Sequence, residues 1–338
     1  MPPPTRRCGS FRHPPIVAIL VTVTLLACSG GPGGGTSEPP TATPTPNGSA
    51  GPCPAAPTPG NLDAWAPPSS MPPVLPQLIS SDQVCGSNRF LFGLLGPDNR
   101  SLAATNRAVR VAFYDLGADP ATPVATADGT FIWAIENVVG VYVVTVDFSA
   151  VGLWGAELST TAGDGSAASV RMTFNVVEHG RAVQVGDTAP ASKTKTLADV
   201  GGNLAAISSD AHPVRRFYET SVDTALATHD PFVLIFATPK FCTSGQCGPT
   251  LDRVKPVVAA YPDVTVINVE PYELKYADGS LQPVVSAANE LVPVAATTEW
   301  GLPSEPWIFV VDRKGIVTGS FEGIVSEAEL EAAVAAVR

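Results

Sequence analysis

Cys242 and Cys247 are the residues of this 338-residue sequence best suited to chemistry. Two thiols that meet can be joined by a bond that a partner's thiolate can open, and the exchange needs no cofactor. In a regular helix, residues five apart have Cα atoms about 8 to 9 Å from each other. A disulfide requires less than about 7 Å. A Cys242–Cys247 bond therefore demands a non-helical segment over residues 243–246, with Gly245 supplying the backbone freedom. Pro249 suits the first position of a following helix. That places Cys247 just ahead of it, where unpaired N–H groups and the positive end of the helix dipole favour a thiolate. Cys247 is then the expected attacking sulfur and Cys242 the resolving one, with the reverse assignment left open.

The elements that must hold this pair are legible around it. Phe232-Val233-Leu234-Ile235-Phe236, bounded by Pro231 and Pro239, is an unbroken apolar run that suits a strand buried on both faces. Leu251, Val254, Val258 and Tyr261 recur at helical spacing across Pro256. A second strand is expected over residues 264–269, and Glu305-Pro306 leads into the apolar run Trp307-Ile308-Phe309-Val310-Val311. Asp312-Arg313-Lys314-Gly315 reads as a hairpin turn, and Ser326-Glu327-Ala328-Glu329 as a capping box that opens a C-terminal helix.

Over residues 183–338 this order resembles the thioredoxin-like superfamily. The resemblance implies an α/β domain whose cysteine motif opens the helix after a central strand, and a cis-proline, matched by Pro306, that faces the cysteines. It also implies thiol–disulfide exchange with protein thiols and disulfides as partners, without a cofactor. Cys247-Gly248-Pro249-Thr250 is similar to the Cys-Gly-Pro-Cys signature with Thr in place of the second cysteine. The sequence departs from the family in having four residues between the cysteines and no acid within residues 232–237 to accept a proton. Pro239 through Cys247 is also similar to the peroxiredoxin pattern Pro-x-x-x-Thr-x-x-Cys with one residue too many, a reading that needs Arg253 or Arg313 at the sulfur. A third reading makes the bond a structural staple in a scaffold protein. Copper chaperones of the superfamily add a downstream histidine; none follows His229. His179, His212 and His229 have no Cys or carboxylate at ligand spacing, so no metal is expected.

The first half of the chain positions this domain. Residues 1–28 carry Arg6, Arg7 and Arg12 ahead of an uncharged run over residues 16–26, too short to cross a bilayer as a helix and typical of a signal peptide. Leu25-Leu26-Ala27-Cys28 resembles the bacterial lipobox, which implies lipidation of Cys28 and anchoring at the extracytoplasmic face of the cell membrane. Residues 29–76 hold 14 of the 34 prolines, eight glycines and two charges, and are expected to be an extended tether. Residues 77–182 show short alternating runs between turns, the pattern of an antiparallel β-sandwich. Asn88-Arg89-Phe90, Gly140-Val141-Tyr142 and Trp154-Gly155-Ala156-Glu157 are similar to immunoglobulin-like modules of bacterial envelope proteins, although no cysteine lies between 86 and 241. The expected fold class is thus multidomain, an Ig-like sandwich followed by a thioredoxin-like α/β domain.

Exported thiols meet an oxidising compartment, so Cys53 and Cys85 are expected to pair as a structural disulfide. A closed loop of about 33 residues is worth roughly 3 to 4 kcal/mol in the chain-entropy view. Without its first 28 residues the chain keeps 17 basic against 31 acidic side chains, a net charge of −14. Such a surface disfavours nucleic acid and anionic lipid as partners; attachment to the membrane is expected through the lipid alone.

Overall fold

The computed structural model describes residues 53–338. The signal segment, Cys28 and the first part of the tether lie outside the described residues. Among the described residues no helix is long and apolar enough to cross a membrane. The described chain is a β-rich, multidomain fold.

Nine strands build the first module: β1 (Leu75–Leu78), β2 (Gln83–Val84), β3 (Gly86–Leu95), β4 (Ala108–Asp115), β5 (Ala125–Asp128), β6 (Thr130–Ile135), β7 (Val139–Phe148), β8 (Gly152–Thr161) and β9 (Ala167–Val177). They form two sheets, ordered β1-β3-β7-β6 and β2-β9-β8-β4-β5. Period-two alternation turns Phe90, Phe92, Val144 and Phe148 of one sheet towards Val111, Phe113, Trp154 and Phe174 of the other. Phe148 meets Trp154 edge-on at 4.9 Å, and the Trp154 indole N–H donates to Ala150 O at 3.0 Å. The aromatic core thus takes the place that a disulfide between the sheets would fill.

Residues 53–76 differ from the extended tether expected of them. Ala56 N–H donates to Val151 O at 2.7 Å, a 3-10 turn spans Asp63–Trp65, and Trp65 is buried against Tyr114. Proline content averaged over the whole stretch conceals Leu62, Trp65 and Val74, which have enough apolar surface to dock this half once Cys53 is bonded to Cys85.

The second half contains α1 (Val222–Ala227), β10 (Phe232–Phe236), α2 (Cys247–Ala259), β11 (Thr265–Val269), β12 (Leu274–Ala277), β13 (Ser280–Pro283), α3 (Ala295–Glu299), β14 (Trp307–Val311), β15 (Val317–Glu322) and α4 (Glu327–Val337). Its main sheet runs β11-β10-β14-β15, with β11 parallel to β10 and the other pairs antiparallel. Every residue of β10 is buried, because the sheet is covered on both faces. Val233 and Ile235 pack under Leu251, Val254 and Val258 of α2 and Leu330 and Val334 of α4. Phe232, Leu234 and Phe236 face Val222, Ala225 and Trp300. Ser326 and Glu329 form the expected capping box of α4.

The two halves are stitched through charged and apolar contacts. Ile324 packs on Leu91, Ile132, Val141 and Val143. Arg89 pairs with Glu329 at 2.7 Å and donates to Ile324 O, while Arg253 of α2 donates to Trp133 O at 2.7 Å and Val325 O at 3.1 Å.

Candidate functional site

Cys242 and Cys247 are joined by a disulfide, with Cα atoms 6.0 Å apart. Residues 243–246 are non-helical, and Gly245 sits at φ +72°, the left-handed conformation that glycine adopts without strain. The helix begins two residues before the position expected from Pro249: Cys247 is the first residue of α2, and Thr250 N–H makes an early turn bond to Gln246 O at 2.9 Å. Pro249 still falls in the first turn, where its missing N–H leaves no bond unmade.

This shift moves the helix-terminus effect from one sulfur to the other. The N–H of Cys247 is an orphan of the first turn, and it donates to Cys242 Sγ at 3.2 Å. Ser244 Oγ is 3.3 Å from the same sulfur. Cys242 is half-buried, whereas Cys247 has no exposed surface and packs in the core with Leu251 and Val254. The attacking role expected of Cys247 therefore suits Cys242 better: it is the less buried of the two and has the positive end of the helix.

A carboxylate that the sequence reading did not identify completes the site. Glu305 is 5% exposed, and its carboxylate and the two sulfurs all lie within 4.8 Å of one another. Thr243 donates to Glu305 Oε1 twice, from its N–H at 2.8 Å and its hydroxyl at 2.7 Å. The Tyr272 hydroxyl donates to Oε2, and Ser244 Oγ donates to the Glu305 carbonyl at 3.0 Å. Burial, followed by the hydrogen bond and charge of Glu305, raises the Tyr272 pKa above its ordinary value. Residues 232–237 of the strand hold no acid; the acid comes instead from the residue before Pro306. The Glu305–Pro306 peptide is cis, and Pro306 is buried beside the loop. The available signal was Glu305-Pro306 itself, since the resemblance sets this proline facing the cysteines and so implies that its neighbour lies near them.

Arg253 and Arg313, the arginines that the peroxidase reading needs, are placed elsewhere, and the lysine of the cysteine loop is tied to a neighbouring hairpin. Lys240 reaches Leu281 O at 3.3 Å and ties the β12–β13 hairpin to the cysteine loop. The guanidinium of Arg253 is committed to two carbonyls where the modules meet, and Arg313 is exposed. The segment between Glu270 and Glu299 meets the site through Tyr272. Tyr272 also lines a cavity of about 200 Å³ together with Asn268, Glu270, Leu281, Lys193 and Lys195. Glu270 accepts the Ser209 N–H at 2.5 Å, but its Oε2 is shut off from solvent without a partner, and burial raises its pKa. Cys53 and Cys85 are also bonded, with Cα atoms 6.1 Å apart. No metal was expected from histidine and cysteine spacing, yet Cys242, Cys247 and Glu305 form a group of ligand type that only the fold brings together.

No protein-family model matches this sequence, and no curated protein does. Among solved structures, the chain is similar to CopC from Methylosinus trichosporium OB3b, at 14% identity over 31% of this chain and 97% of that one, with a TM-score of 0.20. It is also similar to a glycoside-hydrolase candidate from Bacteroides vulgatus ATCC 8482, at 14% identity over 34% of this chain and 23% of that one, with a TM-score of 0.18. Neither likeness is close enough to bear on fold family or activity.

Proposed function

We propose that this protein is a thiol–disulfide oxidoreductase or disulfide carrier, held at the extracytoplasmic face of the membrane by a lipid on Cys28 and acting through a thioredoxin-like domain over residues 183–338, with an Ig-like module as its stand. The observation that carries the proposal is the position of the Cys242–Cys247 bond: a half-buried cysteine whose sulfur lies under the first N–H of a helix, and a fully buried cysteine behind it. The order strand, cysteine loop, helix, parallel strand, proline, antiparallel pair, helix supports the thioredoxin-like reading.

In the reduced state the Cys242 thiolate attacks a partner disulfide, forming a mixed disulfide and releasing one partner thiolate. The Cys247 thiolate then attacks Cys242 Sγ, restores the internal bond and releases the second partner thiolate. Two electrons pass to the partner, and the two released thiolates take up the two protons lost by the cysteines. The same steps in reverse oxidise a dithiol. The Cys247 N–H and the Ser244 hydroxyl stabilise charge on Cys242, and Pro306 shapes the face on which the partner lies.

Cys247→Ser is expected to accumulate a mixed disulfide on Cys242 with a small disulfide substrate, and Cys242→Ser to form none. Inertness of both the wild-type protein and Cys247→Ser would refute the proposal. Full burial of Cys247 favours a second reading, a structural staple in an anchored scaffold; that reading predicts a bond that opens only when the domain melts.

A further inference from the structure

We infer that the reduced form of this site binds one thiophilic divalent cation of the zinc class through the Cys242 and Cys247 thiolates and the Glu305 carboxylate. Sulfur ligands lie about 2.3 Å from zinc and carboxylate oxygens about 2.0 to 2.2 Å, so tetrahedral neighbours stand about 3.5 to 3.8 Å apart. The three ligand atoms already lie within 4.8 Å of one another. Opening the disulfide lets the sulfurs move from bonding distance to that separation, and Gly245, with open space around its α-carbon, lets the loop follow.

Charge points the same way. Reduction with deprotonation would set two thiolates beside a carboxylate on a residue only 5% exposed, an arrangement of like charges that burial makes costly. A divalent cation cancels most of that charge. Thiolate donors select zinc or cadmium over magnesium or calcium.

The surroundings are those of a ligating carboxylate. Thr243 N–H, Thr243 Oγ1 and the Tyr272 hydroxyl hold Glu305 in a single orientation, and acceptor capacity remains on Oε2. Outer hydrogen bonds of this kind orient ligands and are worth about 10- to 100-fold in metal affinity. Cys247 and Glu305 form a buried floor, while half-buried Cys242 leaves a fourth position on the open side for water or an incoming ligand. Three protein ligands with one open position describe a site that exchanges its metal or acts through it, rather than a closed structural one.

The chemistry balances without another co-reactant in the binding step. A phosphine or dithiol reductant supplies two electrons, and two protons complete the pair of thiols. Metal binding then releases two protons as two sulfur–metal bonds form, and no electrons move. Disulfide and metal exclude each other. Binding needs only that the bond can be opened; it does not depend on exchange with a protein partner.

The test uses the full chain, reduced with a phosphine under anaerobic conditions and titrated with Zn²⁺ against a chromophoric chelator, then with Co²⁺ read by its d–d and sulfur charge-transfer absorption. One equivalent is expected in the reduced protein beyond any bound by a Cys242→Ser/Cys247→Ser double variant, and none beyond it in the oxidised protein. Tyr272→Phe is expected to weaken binding about tenfold and Glu305→Gln on the order of 100-fold. Glu305→Asp, which keeps the charge, is expected to recover part of that loss, and this separates loss of a ligand from loss of the fold. Absence of binding, equal affinity in Glu305→Gln, or a bond that reductant leaves closed in the folded protein would each overturn the inference. Disulfide exchange measured with a chelator present is an independent readout. Exchange without metal binding defeats this inference alone, and metal binding without exchange defeats only the proposed function.

Discussion

The two disulfides of the described chain span nearly the same distance, 6.1 Å between Cα atoms for Cys53–Cys85 and 6.0 Å for Cys242–Cys247, yet they sit in unlike surroundings. Cys53–Cys85 links the docked N-terminal stretch to the start of β3, and the Cys85 N–H is spent on a sheet bond to Val177 O at 3.0 Å. Both its sulfur-bearing residues are half-buried, and neither cysteine opens a helix. Cys242–Cys247 joins a half-buried cysteine to a fully buried one, with a helix N–H on the sulfur of the first and a carboxylate fixed beside both. Bond span is therefore no guide to role. What differs is whether the neighbours stabilise a thiolate on one chosen sulfur.

The comparison predicts its largest effect in exchange activity. Replacing Cys242 with Ser removes disulfide exchange with a small substrate altogether, while a Cys53→Ala/Cys85→Ala double variant keeps the wild-type rate at a temperature where it is folded. Equal losses in both would erase the distinction. Stability should divide the other way. Loop closure by separations of 32 and 5 residues gives about 4 kcal/mol for Cys53–Cys85 and about 2 kcal/mol for Cys242–Cys247, so denaturant midpoints should fall more for the first pair.

A smaller effect tests whether the modules that carry the two bonds act as one unit. Burial alone would raise the Glu329 pKa, but the hydrogen bond and charge of Arg89 outweigh it and hold the carboxyl below its usual 4.5. A depressed carboxylate contributes stability above its unfolded value and loses it as pH falls through the folded one. Glu329→Gln should therefore lower stability by about 1 to 2 kcal/mol at neutral pH, and the deficit should shrink below about pH 4. A deficit independent of pH would assign the effect to the lost α4 cap rather than to the ion pair.

The smallest effect contrasts two acids near the site, Glu305 and Glu270. Glu305 is met by three donors, whereas one oxygen of Glu270 has none and burial raises its pKa. A raised pKa favours folding at low pH and costs stability as pH climbs through the folded value. Glu270→Gln, which keeps an acceptor for the Ser209 N–H, should raise Tm at pH 7 by about 2 to 4 °C, the shift that about 1 kcal/mol gives in a domain of this size. Thermal melts at pH 5 and pH 8 check the sign, since the gain should grow with pH.

Sequence carried much of this wherever local chemistry decides structure. The apolar run of β10, the Ser326–Glu329 capping box and the Gly245 hinge each follow from a few adjacent residues, and each appears where expected. Long-range placement was not legible. Glu305 reaches Thr243 across 62 residues of sequence, and Tyr272 reaches Glu305 across 33, so neither spacing announces a shared site. Trp65 was masked by proline-rich neighbours whose average says nothing of one large side chain that finds Tyr114. The start of α2 moved by two residues, a small error in a boundary, and it changed which sulfur receives the helix N–H.

The most direct measurement is a redox titration of the folded protein in which each cysteine is alkylated and counted by mass spectrometry. Cys242 should become reactive first, at a potential above about −300 mV, while Cys53–Cys85 stays closed and the circular dichroism is unchanged. If Cys242 and Cys53 open together, and only as the protein unfolds, both bonds are staples and the exchange site does not exist.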